Sequence, residues 1–146
     1  NSEIKLYAPA LLSASYIPGV DNRLVFYKKL AKAKSEKDLN EVAEQMIDRF
    51  GLQPQEVKLL FTSHRLRLQA EALGIARIIA TSDKILFKFS KNNKIDVEQL
   101  VRMIQEEPQI YRLKEGHDLM VHQGFSEVEK RVKAIEQILN KLNSIE

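Results

Sequence analysis

The chain has 146 residues, of which 44% are hydrophobic and 29% charged, and a formal net charge of +3. That profile is typical of one globular domain, 1–146, and excludes a disordered chain. The sequence has no cysteine, which excludes disulfides, thiolate metal ligands and cysteine nucleophiles. Its apolar runs fall far short of the roughly 20 residues of a membrane span, and no signal-peptide pattern opens it. We therefore expect a cytoplasmic protein with no membrane partner.

The first predicted element is a strand over 3–8, where polar and apolar residues alternate until Pro9. A helix follows the first glycine and runs to about Lys34, with Asp21 as its predicted N-cap. The strand over 3–8 is expected to be half buried, because alternation with a period of two places its apolar side chains on one face.

Two further helices follow without an intervening strand. Ser35 and Asp38 resemble a capping box and open the second helix, which ends at Gly51. Pro54 suits the first turn of a third helix, whose apolar spacing continues until Gly74.

The period then changes from helical to alternating. Segments 75–80 and 85–89 are predicted to form a hairpin, because β-branched and aromatic residues flank a polar turn. Asp96 is predicted to cap a fourth helix that stops before Pro108, and two more strands are expected over 110–113 and 118–122.

The last predicted helix begins after Ser126, its expected N-cap. Its apolar residues keep the 4-3-4-3 spacing of a coiled-coil seam, but so short a stretch is predicted to pack on the sheet of its own domain: Val128, Val132, Ile135, Leu139 and Leu142. The element order predicts an α+β fold in which a small, mostly antiparallel sheet packs with about five helices.

No catalytic constellation emerges from the sequence. His64, His117 and His122 lack the spacing of a metal-binding helix, and no glycine-rich phosphate loop is present. We therefore expect this domain not to be an enzyme, with no catalytic, cofactor-binding or metal-binding residue.

The segment 84–91 interleaves aromatic residues with lysines, a composition also found on RNA-binding sheets. Alternation places Phe87 and Phe89 on one face, which we predict to be core, and leaves Lys84 and Lys88 in water. Basic and acidic stretches alternate along the whole chain, whereas dedicated nucleic-acid binders more often concentrate one sign. A nucleic-acid-binding module that uses four lysines remains the alternative function: Lys84, Lys88, Lys91 and Lys94.

The second helix separates apolar from acidic residues. Its apolar side carries Leu39, Val42, Ala43, Met46 and Phe50. The opposite side carries Glu41, Glu44 and Asp48 within about 60° of one another, with Gln45 beside them. Like charges on one stripe repel, so helix stability does not require them. Two interpretations stay open: a solvated face, or a docking face for an arginine-rich partner.

Several motifs resemble, in order and spacing, the C-terminal domain of the bacterial transcription-repair coupling factor. They are Tyr16-Ile-Pro18, the run 23–28, Ile47-Asp-Arg-Phe-Gly51, Leu73-Gly-Ile75 and the run 108–113. The resemblance covers about residues 4–142. The chain also begins at Asn1 without Met, as would a domain taken from a longer protein, a processed chain or a chain with a tag remnant.

The resemblance implies a regulatory role without catalysis. In the family, the parent protein is a DNA translocase that uses ATP and Mg, displaces RNA polymerase from DNA and recruits UvrA. The C-terminal domain packs on the N-terminal UvrB-like module and masks the UvrA-binding surface. Two acidic residues one turn apart make that contact; Asp48 matches the second and Gln45 replaces the first. We expect Glu41, Glu44, Gln45 and Asp48 to form the interface, and the isolated domain to be monomeric.

Overall fold

The structure is a computed structural model that describes residues 1–144; residues 145 and 146 of the expected domain lie outside that range. The helices are α1 (Val20–Lys32), α2 (Glu36–Phe50), α3 (Gln55–Leu73), α4 (Val97–Glu106) and α5 (Val128–Leu142). The strands are β1 (Glu3–Lys5), β2 (Ile75–Ala80), β3 (Ile85–Phe89), β4 (Tyr111–Lys114) and β5 (Asp118–Val121). The predicted α+β class and element order are confirmed.

The chain forms two compact units. One, the sheet unit, combines residues 1–8 with the segment that begins at Gln69, and the other, the helical unit, is Pro9–Leu68. The single domain 1–146 stays a prediction, because compactness of two units does not establish whether they fold separately.

The five-stranded sheet has the order β1-β2-β3-β5-β4. β2, β3, β5 and β4 pair antiparallel with their neighbours, as predicted, while β1 pairs parallel to β2 with Ile4 opposite Ile78. A parallel pair needs a long crossover connection, which the three helices between β1 and β2 provide. The sheet is therefore mixed and mostly antiparallel.

β3 lies in the middle of this sheet. Phe87 is fully buried, and Lys84 and Lys88 are exposed, as predicted. Phe89 is only half buried, so the prediction that it lies fully in the core is wrong. It ends the strand, where its amide donates to the Asp118 carboxylate at 3.2 Å and its ring borders a surface groove.

Two predicted caps differ from the structure. α1 begins two residues earlier than predicted, with Gly19 at the N-cap and Asp21 in the first turn. α5 takes Glu127 as N-cap instead of Ser126. The Ser126 carbonyl oxygen accepts a hydrogen bond from the Arg131 guanidinium Nη2 at 3.0 Å.

Arg131 is one of the two buried charged or polar side chains among residues 1–144. Its Nε donates to the Phe125 carbonyl oxygen at 2.7 Å, and its Nη1 donates to the Leu6 carbonyl oxygen at 2.8 Å. A longer contact of 3.5 Å joins Nη1 to the Tyr7 carbonyl oxygen. The guanidinium thus ties the chain after β1 to the loop that enters α5.

The helical unit has its own core. Its fully buried members include Ile17, Leu30, Met46 and Val57. The Ser35 hydroxyl accepts the Asp38 amide, which confirms the predicted N-cap of α2.

Tyr16 closes the other end of α2. Its phenol donates to the carbonyl oxygen of Gly51, the C-cap residue of that helix, at 2.6 Å. Burial raises the pKa of the Tyr16 phenol, so this donor stays protonated over the physiological range.

Gly124 lies against the turn between β2 and β3. A Cβ at this position would stand 2.1 Å from the Ser82 carbonyl oxygen and 2.5 Å from the Asp83 Cα. We expect Gly124→Ala to lower the free energy of unfolding by about 1–3 kcal/mol, because the backbone at Gly124 or at Ser82 and Asp83 must shift to admit the methyl group. Urea unfolding measures the change. The exposed Ser126→Ala serves as the control and should stay within about 0.5 kcal/mol of the parent chain; an equally small change in Gly124→Ala would contradict this close approach.

Candidate protein-interaction face

The candidate site is the outward face of α2, here called the acidic stripe: Glu41, Glu44, Gln45 and Asp48. The helix turns this way because Leu39, Val42 and Met46 are buried on its opposite side. All four residues of the acidic stripe are exposed, as the sequence predicts.

The three carboxylates of the acidic stripe have no partner inside the described chain. Over residues 1–144, no hydrogen bond or ion pair engages the side chain of Glu41, Glu44 or Asp48. Carboxylates without internal partners remain available for bidentate pairing with arginines of another surface.

Gln45 differs from its neighbours. Its amide oxygen accepts a hydrogen bond from Lys29 Nζ of α1 at 2.8 Å. The Lys29 ammonium also lies 5.3 Å from the centre of the Phe26 ring, within reach of a cation–π contact. A cation therefore stands at the one position of the acidic stripe that lacks a carboxylate.

The border of the acidic stripe carries further groups that sequence reasoning missed. The Arg49 guanidinium lies 4.8 Å from the centre of the Phe50 ring. Ile47 is 39% exposed and Leu52 is 88% exposed. The signal for Leu52 was an apolar residue directly after the glycine that ends α2. Acidic, cationic and apolar groups side by side are typical of the mixed rim of a protein interface.

The histidines have separate settings. His64 Nδ1 accepts a hydrogen bond from Arg67 Nε at 3.1 Å, and His117 Nδ1 lies 3.1 Å from the Asp118 carboxylate. Within residues 1–144, no group of three or more His, Cys, Asp or Glu side chains is arranged to hold a metal ion. Over the same described range, no helix is both long and apolar enough to span a membrane.

The basic candidates lie in the sheet unit. Lys84, Lys88, Lys91 and Lys94 are all exposed. Their aromatic neighbour Phe87 is fully buried and cannot stack on a base. The structure thus leaves these lysines free to contact phosphates but gives them no stacking platform at Phe87.

Fold and surface together define a small α+β domain with an exposed acidic face on α2. The chain belongs to the TRCF domain family, whose model matches residues 6–100. It is 36% identical over 141 residues to the transcription-repair-coupling factor of Escherichia coli (strain K12), and 39% identical over 111 residues to that of Haemophilus influenzae. These alignments cover 97% and 76% of this chain.

The fold has also been seen before. A crystal structure of the C-terminal domain of transcription-repair coupling factor superposes with a TM-score of 0.76 and 21% identity, covering 100% of this chain and 96% of that one. The resemblance inferred from the sequence is confirmed. The chain spans only 12% and 10% of the length of the two curated relatives.

Proposed function

We propose that this domain is a non-catalytic clamp of a DNA translocase in transcription-coupled repair. Its acidic stripe packs on the N-terminal UvrB-like module of the same protein and masks the surface that UvrA binds. The domain itself needs no cofactor. ATP and Mg, DNA and RNA polymerase are handled by the rest of the parent protein, which is cytoplasmic.

One observation carries the proposal. Glu41, Glu44 and Asp48 share one exposed face of α2, and none of the three is engaged within residues 1–144. Neighbouring like charges destabilise a helix, so an unpaired stripe is better explained by a partner than by α2 itself. Arginines of a docking surface supply the matching charge, and each planar guanidinium can donate two parallel hydrogen bonds to one carboxylate.

The clamp is expected to be weaker at position 45 than at position 48. Gln45 offers an amide oxygen in place of a carboxylate, and Lys29 already donates to that oxygen. An incoming arginine would meet a cation there. Asp48 therefore carries the main contact, with Glu41 and Glu44 adding to the field of the stripe.

Titration of the 146-residue chain against the isolated N-terminal module tests the clamp. We expect saturable binding that weakens between roughly 50 mM and 200 mM salt, since the screening length shortens over that range. Glu106→Arg, an exposed reversal on α4 outside the acidic stripe, should bind like the parent chain. Absence of binding at the lower salt concentration would refute the clamp.

Binding of nucleic acid is the alternative function, favoured by four exposed lysines in β3 and in the segments directly before and after it. We expect duplex DNA to bind weakly and without sequence preference, because acidic stretches interrupt the basic ones. A binder that neutralises several phosphates loses affinity with a slope of about −0.9 per phosphate against salt on logarithmic axes. Anisotropy titrations at physiological salt measure this; submicromolar binding that Lys84→Ala with Lys88→Ala abolishes would replace the clamp with this alternative.

A further inference from the structure

A groove of about 260 Å³ opens between α2 and α3 in the helical unit. We call it the α2–α3 groove. Leu39 and Phe61 are buried and form its floor, one from each helix. Both walls are polar and carry Glu36, Asn40, Lys58, Thr62 and Arg65.

The α3 wall is the narrow outward face of a helix that is packed around most of its circumference. Lys58, Thr62 and Arg65 follow one another at spacings of four and three residues, which places them on one face. Lys58 is exposed, and the other two are half buried. The rest of the helix is largely covered by its buried residues: Val57, Leu59, Leu60, Phe61, Leu66 and Ala70.

Lys58 and Arg65 have no partner inside the described chain. Over residues 1–144, no hydrogen bond or ion pair engages either side chain. Neither has a carboxylate three or four residues away on α3, so α3 gains no stability from them through such a pair. Glu36, the one carboxylate that lines the groove within that range, lies in the first turn of α2, where the helix dipole favours negative charge. The two cations are therefore available to an anion from outside.

The α2–α3 groove borders the acidic stripe. Asn40 of the groove and Glu44 of the acidic stripe are four residues apart on α2, so they are neighbours on the helix surface. Packed helices usually lie about 8–10 Å apart, which sets the distance between a cationic row on α3 and an acidic row on α2. A partner at this face therefore meets two rows of opposite charge side by side.

The two rows together select the class of partner. A nucleic-acid backbone carries negative charge alone, so the acidic stripe would repel it at the border of the groove. A protein surface can carry arginines and carboxylates at neighbouring positions and so match both rows. Carboxylate side chains of a protein are therefore the anions that fit Lys58 and Arg65 at this place.

Given the clamp described under Proposed function, we propose that the α2–α3 groove is its second contact zone and takes carboxylate side chains of the N-terminal module. Lys58 and Arg65 pair with these carboxylates, while the acidic stripe pairs with arginines of the same module. The module then presents two rows of opposite charge about 8–10 Å apart. Such a surface docks in one orientation, because the reversed orientation would bring like charges together.

Binding of UvrA by the full-length protein tests the second contact zone. Lys58→Glu should loosen docking at least about tenfold and so increase UvrA binding, and Arg65→Gln, which removes charge without reversing it, should do so less. Lys133→Glu, the same reversal at an exposed lysine of α5, is the matched control and should behave like the parent protein. Lys58 is exposed, so the melting temperature of the 146-residue chain should hold in Lys58→Glu.

The outcomes separate this contact zone from the clamp itself. If Asp48→Arg increases UvrA binding while Lys58→Glu and Arg65→Gln leave it unchanged, the clamp stands and the α2–α3 groove has no part in it. If none of the three increases UvrA binding, both proposals are overturned. Equal increases in Lys58→Glu and Lys133→Glu would also overturn the contact zone, because net charge alone would then account for them.

Cross-linking identifies the occupant directly. A carbodiimide joins a lysine amine to a carboxylate only where the two touch, so treatment of the full-length protein should link Lys58 to an Asp or Glu of the N-terminal module. Peptide mapping should find no such link at Lys133. Absence of the Lys58 link, or equal linking at both lysines, would overturn the proposal. Submicromolar binding of duplex DNA to the 146-residue chain, lost in Lys58→Glu, would also overturn it, because phosphates would then occupy the groove.

Discussion

Replacing Arg131 by methionine should lower the free energy of unfolding by about 3–5 kcal/mol, the largest effect expected of any single substitution here. Methionine keeps most of the side-chain volume but removes every donor. Carbonyl oxygens of Leu6, Phe125 and Ser126 would then lose partners that stand 2.7–3.0 Å away. The contact to the Leu6 carbonyl is buried, and a buried acceptor left without a donor costs about 1–3 kcal/mol, while the partly buried contacts to Phe125 and Ser126 add less.

The cost is large because the three carbonyls belong to separate pieces of chain. Leu6 follows β1, while Phe125 and Ser126 lead into α5. One planar guanidinium reaches all of them with its fixed fork, which a lysine ammonium cannot copy. Arg131→Lys should therefore fall between the parent chain and Arg131→Met.

Urea unfolding of the 146-residue chain measures this effect. Lys133→Met, an exposed change two residues along the same helix, is the matched control and should stay within about 0.5 kcal/mol of the parent. Total stabilities of about 5–15 kcal/mol are usual, so Arg131→Met should unfold at clearly lower urea. If Arg131→Met unfolds at the same urea concentration as Lys133→Met, water must satisfy the three carbonyls and Arg131 does not hold these segments together.

Arg131 was within reach of sequence analysis, although the apolar rhythm of α5 drew attention elsewhere. At 100° per residue, Arg131 points between Ile138 and Leu142, on the face that the helix buries. A charged residue in the centre of an apolar face predicts a buried, hydrogen-bonded group. The pattern could not name its acceptors, because Leu6 is 125 residues away.

Features set by neighbouring residues were predicted from the sequence, whereas contacts between distant segments were not. All ten elements were predicted in order, because helical and alternating periods and their caps are written in neighbouring residues. The exposed acidic stripe followed from the same local period. The parallel pairing of Ile4 with Ile78 and the contact between Lys29 and Gln45 join distant segments, and no local pattern encodes such pairs.

Reversing the charge of Asp48 should separate folding from docking. Asp48 is exposed and unengaged within the described chain, so Asp48→Arg should change the free energy of unfolding by no more than about 0.5 kcal/mol. In the full-length protein it should weaken docking by about 2–5 kcal/mol if the contact is desolvated there, and by much less at a rim position. Binding of UvrA by the full-length protein should then rise, because the UvrA-binding surface would no longer be masked.

Position 45 supplies the opposite change. Gln45→Glu restores the acid of the family pattern and should tighten docking, which lowers UvrA binding. Lys29 Nζ stands 2.8 Å from the Gln45 amide oxygen, so the new carboxylate would also form an ion pair with Lys29 inside the domain. This internal pair would reduce the attraction of the carboxylate for the docking surface. The gain should therefore be larger when Lys29→Met accompanies Gln45→Glu, a coupling that a double-mutant cycle isolates.

Pull-down of UvrA by the full-length protein, beside melting curves of the 146-residue chain, decides between these outcomes. Glu106→Arg is the matched control for Asp48→Arg, since it reverses one exposed acidic residue on another helix and should leave UvrA binding unchanged. Equal UvrA binding by the parent protein and Asp48→Arg, with the domain still folded, would show that Asp48 holds no clamp. Increased binding by both reversals would point instead to a general effect of net charge, because only Asp48 lies on the acidic stripe.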